Sequence, residues 1–172
     1  MEILKSNRLI LRSWKICDLD DLHEFTSNER VASMAGFKVK STENETLNIL
    51  KQFIIDSTDS LWAIEFKESH KVIGWVELHT YLQNEQTNSK EIGFVLSQKY
   101  WGLGIMAEAV ITVLHYAFSE ENIDSIVCSH FINNIQSKIV IEKCGFKYER
   151  KSTDKIYYSL INKVKTNGSI YV

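Results

Sequence analysis

The stretch between Glu91 and Glu108 constrains the fold of this chain more than any other segment. It begins as an apolar strand, passes through a short turn that holds Gly102 and Gly104, and then starts a helix. Glycines at this point allow a sharp bend and a close approach to the backbone. The first N–H groups of a helix lack intrahelical partners and lie at the positive end of its dipole. This order of elements predicts a cradle for a phosphate or pyrophosphate group.

The residues after this turn narrow the class of ligand. No Gly-Lys-Ser/Thr ending follows the glycines, so the turn is not that of a nucleoside triphosphatase. The segment from Gly102 to Ala107 does match the loose dinucleotide pattern G-x-G-x-x-A. That pattern also requires an acidic residue at the end of the next strand, whereas Asp124 precedes the strand predicted at residues 125–131. A dinucleotide-binding oxidoreductase is therefore a minor alternative.

Three motifs resemble the GNAT superfamily of N-acetyltransferases. The segment Q-K-Y-W-G-L-G-I-M-A-E-A is similar to the acyl-CoA pyrophosphate loop of that family, with Lys99 in its first place. Its Tyr-Trp pair, together with N-I-Q-S at residues 134–137 and I-E-K-C-G-F at 141–146, resembles the branch that acetylates the N-termini of ribosomal proteins. The opening R-L-I-L-R at residues 8–12 is the third match. The motifs follow the order of the family over most of the chain.

The pattern of apolar residues predicts an α/β (α+β) fold. Strand and helix signals follow the order β-α-α-β-β-β-α-β-α-β-β. This order predicts a mixed, mostly antiparallel sheet of about seven strands with helices on both faces, and a parallel pair where a helix crosses over. A capping box at Thr42 to Glu45 starts one helix, and Asp18 is the expected cap of another. Residues 28–41 show no clean period and are either a surface connection or, by resemblance, one wall of the acceptor site.

Composition limits the partners of the protein. The 172 residues fit one domain, taken as residues 1–172, and the formal net charge is −2. That charge does not favour nucleic acid or an anionic membrane as a partner, and no apolar run is long enough to span a bilayer. The N-terminus lacks a signal-peptide core, and the three cysteines lack metal-ligand or redox spacing. We therefore expect a cytoplasmic monomer or homodimer with no metal.

The resemblance implies that acetyl-CoA is the co-substrate and that the acetyl group passes directly to a primary amine in a ternary complex. The acceptor would be a protein N-terminal amine or a small-molecule amine. In the family, the strand before the glycine loop is splayed from its neighbour, and the thioester arm lies between them. By resemblance, the residues that bind the cofactor are Phe94, Val95, Leu96, Lys99, Gly102, Leu103, Gly104, Ile105, Met106 and Asn134. A non-catalytic acyl-CoA-binding domain is the alternative.

Direct transfer needs a proton acceptor, because an amine is mostly protonated at neutral pH. Glu91 is the first candidate, since it opens the strand expected to carry the thioester, and Glu77 on the neighbouring strand is a rival. His79 and His130 lie at strand ends, where each is either a proton relay or a histidine without a catalytic part.

The departing thiolate has a different candidate. Many members of the family protonate it with a tyrosine, but Ile141 occupies that place here. The resembled branch assigns this role to the serine of N-x-x-S, which corresponds to Ser137. A serine is a poor acid, so Ser137 is expected either to hydrogen-bond the sulfur or to be an ordinary residue of a helix first turn. Lys99, Lys138 and Lys143 are candidates for balancing the phosphate charge.

Overall fold

An eight-stranded mixed sheet forms the centre of the protein. This computed structural model describes residues 1–55, 60–81 and 88–162. The strands in chain order are β1 (Leu4–Lys5), β2 (Leu9–Arg12), β3 (Leu61–Phe66), β4 (Lys71–Thr80), β5 (Ser89–Leu96), β6 (Ser125–Phe131), β7 (Lys147–Lys151) and β8 (Lys155–Ile161). They lie in the order β1-β2-β3-β4-β5-β6-β8-β7, and only the β5–β6 pair in this described sheet is parallel. The predicted mixed, mostly antiparallel sheet is confirmed, with the two-residue β1 as an additional strand.

Helices cover both faces of the sheet, as predicted. They are α1 (Leu19–Thr26), α2 (Glu29–Ala35), α3 (Glu43–Ile55), α4 (Ile105–Ser119) and α5 (Ile135–Lys143). Helices α1 to α3 bury Leu22, Leu50 and other side chains against Trp75 on one face. Helices α4 and α5 form a second core on the other face, where Val110 packs with Ile126. The alternation of side chains along each strand separates these two cores.

The middle of the chain is the predicted antiparallel meander. Val76 of β4 is opposite Trp62 of β3 on one side and Phe94 of β5 on the other. The polar connection predicted at residues 83–89 lies mostly outside the described residues. The unit β5–α4–β6 is parallel, as the crossover helix requires. Across the three described ranges, no helix is both long and apolar enough to cross a membrane.

Two helix starts show what local sequence determines. The capping box is confirmed, because Thr42 N donates to Glu45 Oε2 at 3.1 Å and Glu45 N donates to Thr42 Oγ1 at 3.3 Å. Residues 28–41 are not merely a connection, since α2 occupies their first half. Asn28 starts this helix, and its Oδ1 accepts a hydrogen bond from Arg30 N at 2.9 Å. Gly36 ends it in the left-handed conformation, with φ of 78°.

Asp18 is the N-cap residue of α1, as predicted, but its side chain does not cap that helix. A single 3-10 turn at Ile16–Asp18 precedes α1, and the Asp18 side chain makes no cap hydrogen bond to α1. Its carboxylate instead accepts hydrogen bonds from both terminal nitrogens of Arg12 at 2.9 Å each. Asp18 is only 4% exposed, so a buried guanidinium is a stronger partner for it than a helix N–H group.

Candidate active site

Strands β5 and β6 separate halfway along their length. Their register runs from Ser89 opposite Ser125 to Ile92 opposite Cys128 and then ends. Beyond this point β5 continues beside β4, whereas β6 continues beside β8. The described sheet therefore leaves the β6-facing backbone groups between residues 93 and 96 without a ladder partner. This is the splayed arrangement that the resemblance implies.

A cavity of about 540 Å³ lies at this gap. On the face that carries α2, its wall includes Met34, Phe37 and Trp75. On the face that carries α4 and α5, its wall includes Met106 and Val140. The cavity therefore joins the two faces of the sheet through the gap, so groups bound from opposite sides can meet there.

The glycine loop shapes the α4 end of the cavity. Gly102 and Gly104 have φ of 78° and 73°, a conformation that L residues with a Cβ adopt only with strain. A Cβ on Gly102 would meet nothing within 4 Å, so open space lies above this residue. The bond from Glu108 N to Gly104 O, at 3.1 Å, is the first of the helix. The amides of Ile105 to Ala107 therefore point out of the helix end, as an anion site requires.

Two cations converge on the same end of α4. A Cβ on Gly104 would lie 3.5 Å from Lys143 Nζ and 3.9 Å from Arg8 Nη2. Arg8 is held there, because its Nε donates to Glu108 Oε2 at 2.7 Å and its Nη1 donates to Leu103 O at 3.1 Å. These cations and the free amides fit the pyrophosphate of acetyl-CoA. The sequence indicated Arg8 only as part of a motif, since its place beside the loop depends on the pairing of β2 in the sheet.

Burial and hydrogen bonding compete at Glu108. Burial opposes ionisation of this carboxyl group, but hydrogen bonds from Arg8 N, Ser6 Oγ and the Arg8 side chain outweigh it and lower the pKa of Glu108. The first turn of α4 is thereby fixed to the start of β2 by a charged group. The position of the anion cradle follows from this anchor.

Three titratable side chains meet on the α2 face of the cavity. His79 Nε2 lies 3.3 Å from Glu77 Oε2, and this hydrogen bond is the main cause of the raised pKa of His79. His79 is directly opposite Glu91 in the β4–β5 ladder. Ser129 Oγ donates to Glu91 Oε1 at 3.2 Å, so Glu91 reaches across from β5 to β6. Three of the four candidates for proton transfer thus form one cluster beside the gap.

His130 has a different environment from His79. It is 4% exposed, its Nδ1 lies 2.8 Å from Phe131 O, and its Nε2 lies 3.4 Å from the hydroxyl of Tyr158. Both ring nitrogens therefore have partners within the protein. This geometry favours a structural role for His130 in the core, although its ring forms part of the cavity wall.

Asn134 joins the two sides of the cavity. Its Oδ1 accepts a hydrogen bond from Ser137 N at 3.0 Å, which caps α5, and its Nδ2 donates to Met34 O at 2.8 Å. Ser137 lies in the cavity wall, in the first turn of α5. Ile141 is 1% exposed and packs in the core, so no hydroxyl group occupies the place of the family tyrosine.

Most of the predicted site residues lie together at the cavity wall. Those in the wall are Glu91, Phe94, Val95, Leu96, Gly102, Gly104, Ile105, Met106, Asn134 and Ser137. Lys99 and Leu103 are not in the wall of this described cavity. Lys99 Nζ pairs with Glu24 Oε1 at 2.7 Å, and Leu103 is 57% exposed at the loop tip.

Comparison with known proteins agrees with this geometry. A family model described as an acetyltransferase (GNAT) domain matches residues 8–147. The chain is similar to the probable N-acetyltransferase YjcK of Bacillus subtilis (strain 168), with 35% identity over 154 residues, which cover 86% of this chain and 84% of that protein. It is similar over a shorter region to a protein of the same organism named "Putative ribosomal N-acetyltransferase YdaF", with 32% identity over 85 residues, or 49% of this chain and 45% of that one.

A solved structure extends the likeness to the whole fold. The crystal structure of an acetyltransferase (GNAT family) from Bacillus anthracis superimposes with a TM-score of 0.82 at 25% identity. The match covers 94% of this chain and 99% of that chain. The two proteins therefore share the overall fold.

Proposed function

This chain belongs to the GNAT family of acetyltransferases, and on that premise we propose how its cavity carries acetyl transfer to a primary amine. It is an acetyl-CoA-dependent N-acetyltransferase. One observation supports the proposal above all: a single cavity passes through the gap between β5 and β6. An anion cradle lies on one side of the gap and a carboxylate cluster on the other. Residues 1–172 act as one catalytic domain in this proposal.

The cofactor binds on the α4 side of the gap. When bound, acetyl-CoA supplies the activated acetyl group as a thioester. The amides from Gly102 to Met106 receive its pyrophosphate, and Lys143 and Arg8 balance the phosphate charge. Along Phe94, Val95 and Leu96, the backbone groups that face the gap hydrogen-bond the thioester arm and the charge that develops on its oxygen. Leu96 O is excluded, because it already accepts a hydrogen bond from Trp101 Nε1 at 2.8 Å. Asn134 Nδ2 already donates one N–H to Met34 O and contributes its second N–H on the opposite side of the arm.

Glu91 accepts the proton from the incoming amine. Its carboxylate is bonded to the neutral hydroxyl of Ser129, whereas the rival Glu77 is already engaged by His79. The Glu77 carboxylate thus already holds a charged partner, which leaves Glu91 as the freer acceptor for the amine proton. Glu77, which His79 holds in place, therefore orients the ammonium form of the acceptor, and Glu91 removes its proton at the edge of the gap. As the C–N bond forms and the C–S bond breaks, Ser137 hydrogen-bonds the leaving thiolate, which takes up the second proton of the attacking nitrogen.

The acceptor is a primary amine that enters from the α2 side. The similarity to a protein named for ribosomal N-acetylation supports a protein N-terminal amine. Met34, Phe37 and Trp75 give this half of the cavity an apolar wall, which suits the side chain of a first residue. A small amine with an apolar body fits the same wall and is the second candidate. A polyamine carries several cationic amines and would need several converging carboxylates. The described cavity wall offers two, Glu77 and Glu91, so a polyamine is disfavoured.

Turnover assays test this proposal. Release of the free thiol of CoA is measured with acetyl-CoA and either short peptides or small amines as acceptors. We expect Glu91→Gln to lower kcat/KM by about 100-fold or more, because it removes the general base. Glu149→Gln, on the exposed strand β7, is the matched control and keeps wild-type activity. Binding of acetyl-CoA without turnover on any amine would instead favour a non-catalytic acyl-CoA-binding domain.

A further inference from the structure

We propose that the acceptor carries an anionic group, a carboxylate or a phosphate, at a distance from its amine, and that Lys155 binds this group. The inference rests on the proposed function and deepens it by naming a class of acceptor. Two lysines lie in the cavity wall, Lys143 and Lys155. Lys143 stands at the glycine loop and is assigned to the cofactor, so Lys155 is available to a different anion.

Lys155 lies on the acceptor side of the sheet. It is opposite Phe131 in the β6–β8 ladder, so the two side chains share a face. Its Nζ is 5.0 Å from the centroid of the Phe131 ring. A Cβ on Gly36 would lie 2.5 Å from the edge of that ring, so Phe131 rests against the end of α2. The ammonium group therefore faces the half of the cavity that holds Glu77 and Glu91.

None of the described carboxylates neutralises the charge of Lys155. Within the part of the chain that the structure describes, the lysines with a carboxylate oxygen inside 4.0 Å are Lys71, Lys99 and Lys138. Lys155 is half-buried and is held instead on the face of an aromatic ring, a contact that orients a cation without cancelling its charge. A ligand anion at this point gains an ion pair that the free enzyme lacks.

The acidic and basic groups are separated along β6. Glu91 is bonded to Ser129, and Lys155 packs on Phe131, two residues further along the strand. Two residues of a strand span about 6.6 Å. An acceptor that uses both sites thus holds its amine and its anion about 7 Å apart. This spacing exceeds that within a single α-amino acid, and it suits an N-terminal amine followed by an acidic or phosphorylated second residue, or a longer amino acid.

Matched dipeptide amides test the role of Lys155. Ala-Glu-amide and Ala-Gln-amide differ only in the negative charge, and Ala-phosphoserine-amide supplies a phosphate instead. We expect the wild-type enzyme to prefer the glutamate peptide over the glutamine peptide by about tenfold in kcat/KM, the size of one partly exposed charge contact. Lys155→Met and Lys155→Gln should bring this ratio close to one. Lys155→Glu should reverse it in favour of Ala-Lys-amide.

Lys151→Met is the control, because Lys151 is an exposed residue of β7 outside the cavity wall. This variant should keep the wild-type ratio. A higher rate with the phosphate peptide than with the glutamate peptide would identify the anion as a phosphate, and the opposite order would identify a carboxylate. An equal rate with charged and neutral peptides, unaltered in Lys155→Met, would overturn the inference while acetyl transfer itself stands. No transfer to any amine would overturn the proposed function first.

Discussion

The Oε1 atom of Glu77 lies so close over Gly93 that a Cβ on Gly93 would stand 2.7 Å from it. The two residues are direct partners in the β4–β5 ladder, at the point where β5 has just left β6. Glycine at residue 93 therefore lets the Glu77 carboxylate rest at the inner edge of the gap. Gly74 on the same ladder differs, because a Cβ there would collide with the backbone oxygen of Val95.

Replacing each of these glycines with alanine should separate function from stability. In Gly93→Ala the Cβ meets the flexible end of Glu77, so the carboxylate moves and the fold is retained. We expect kcat/KM to fall by about 10- to 100-fold, because a small misplacement of an orienting group is costly. In Gly74→Ala the collision is with backbone, and the free energy of unfolding should fall by about 3 kcal/mol.

Urea denaturation and turnover assays on both variants test these expectations for stability and activity. Full activity of a well-folded Gly93→Ala variant would show that transfer does not depend on the position of Glu77. Equal loss of stability in the two variants would show that the Glu77 side chain cannot move aside.

The glycine loop allows a second matched comparison. Gly102 and Gly145 both have a left-handed backbone, with φ of 78° and 88°. A Cβ added at either residue would meet nothing within 4 Å. Alanine at either position should therefore lower stability by a similar amount, about 1 kcal/mol. Only Gly102→Ala places a methyl group in the proposed phosphate cradle.

Thermal unfolding with CoA, acetyl-CoA or NAD tests this difference. A ligand at ~100 times its dissociation constant stabilises the folded protein by about 2.7 kcal/mol. We expect both CoA species, but not NAD, to raise the midpoint of the wild type and of Gly145→Ala. The rise should be much smaller for Gly102→Ala. An equal rise in the two variants would remove Gly102 from the cradle.

Signals confined to a few neighbouring residues were predictable from the sequence. The Thr42 capping box, the bounds of β6 and the glycine loop each depend on local backbone chemistry, and the structure has all three. Helix α2 was missed because it has seven residues, of which only Val31 and Ala32 are buried, so it shows no period. The sequence signals for this helix were Asn28, a typical N-cap, and Gly36, a typical helix end.

Contacts between distant segments were not predictable in the same way. The place of Arg8 beside the loop depends on Glu108, a hundred residues further along the chain. The role of Lys99 follows from its ion pair with Glu24 on α1, which no local pattern indicates. The separation of β5 from β6 was inferred only through resemblance, since both segments show ordinary strand patterns.

The pairing of His79 with Glu77 predicts how stability varies with pH. The pKa of His79 is raised above its usual value of about 6.5, first by its hydrogen bond with Glu77 and then by the charges of Glu77 and Glu91. A raised folded-state pKa gives stability that is fully present below the unfolded-state pKa and is lost as the pH rises through the folded-state pKa. The window of loss therefore begins near pH 6.5 and extends upward.

His79→Gln measures this contribution. The difference in unfolding free energy between wild type and variant should be largest at about pH 5.5 and should shrink by about pH 8.5. Glu77→Gln removes the partner and should show the same trend. A difference that grows as the pH rises would contradict the protonated His79–Glu77 pair.

Substitution of Asp18 tests whether its carboxylate acts as a helix cap or as one partner of a buried ion pair. Arg12 is held by Asp18 at 2.9 Å and by Glu65 at 2.6 Å, and both carboxylates raise its pKa, Asp18 most strongly. Asparagine is as good a helix cap as aspartate, so Asp18→Asn would leave stability unchanged if capping were the role of this residue. Because the substitution leaves a buried guanidinium with one carboxylate fewer, we expect the free energy of unfolding to fall by about 3 kcal/mol. Asp20→Asn, at an exposed position of α1, is the control in urea denaturation. Equal stability of the two variants would return Asp18 to the role of a cap.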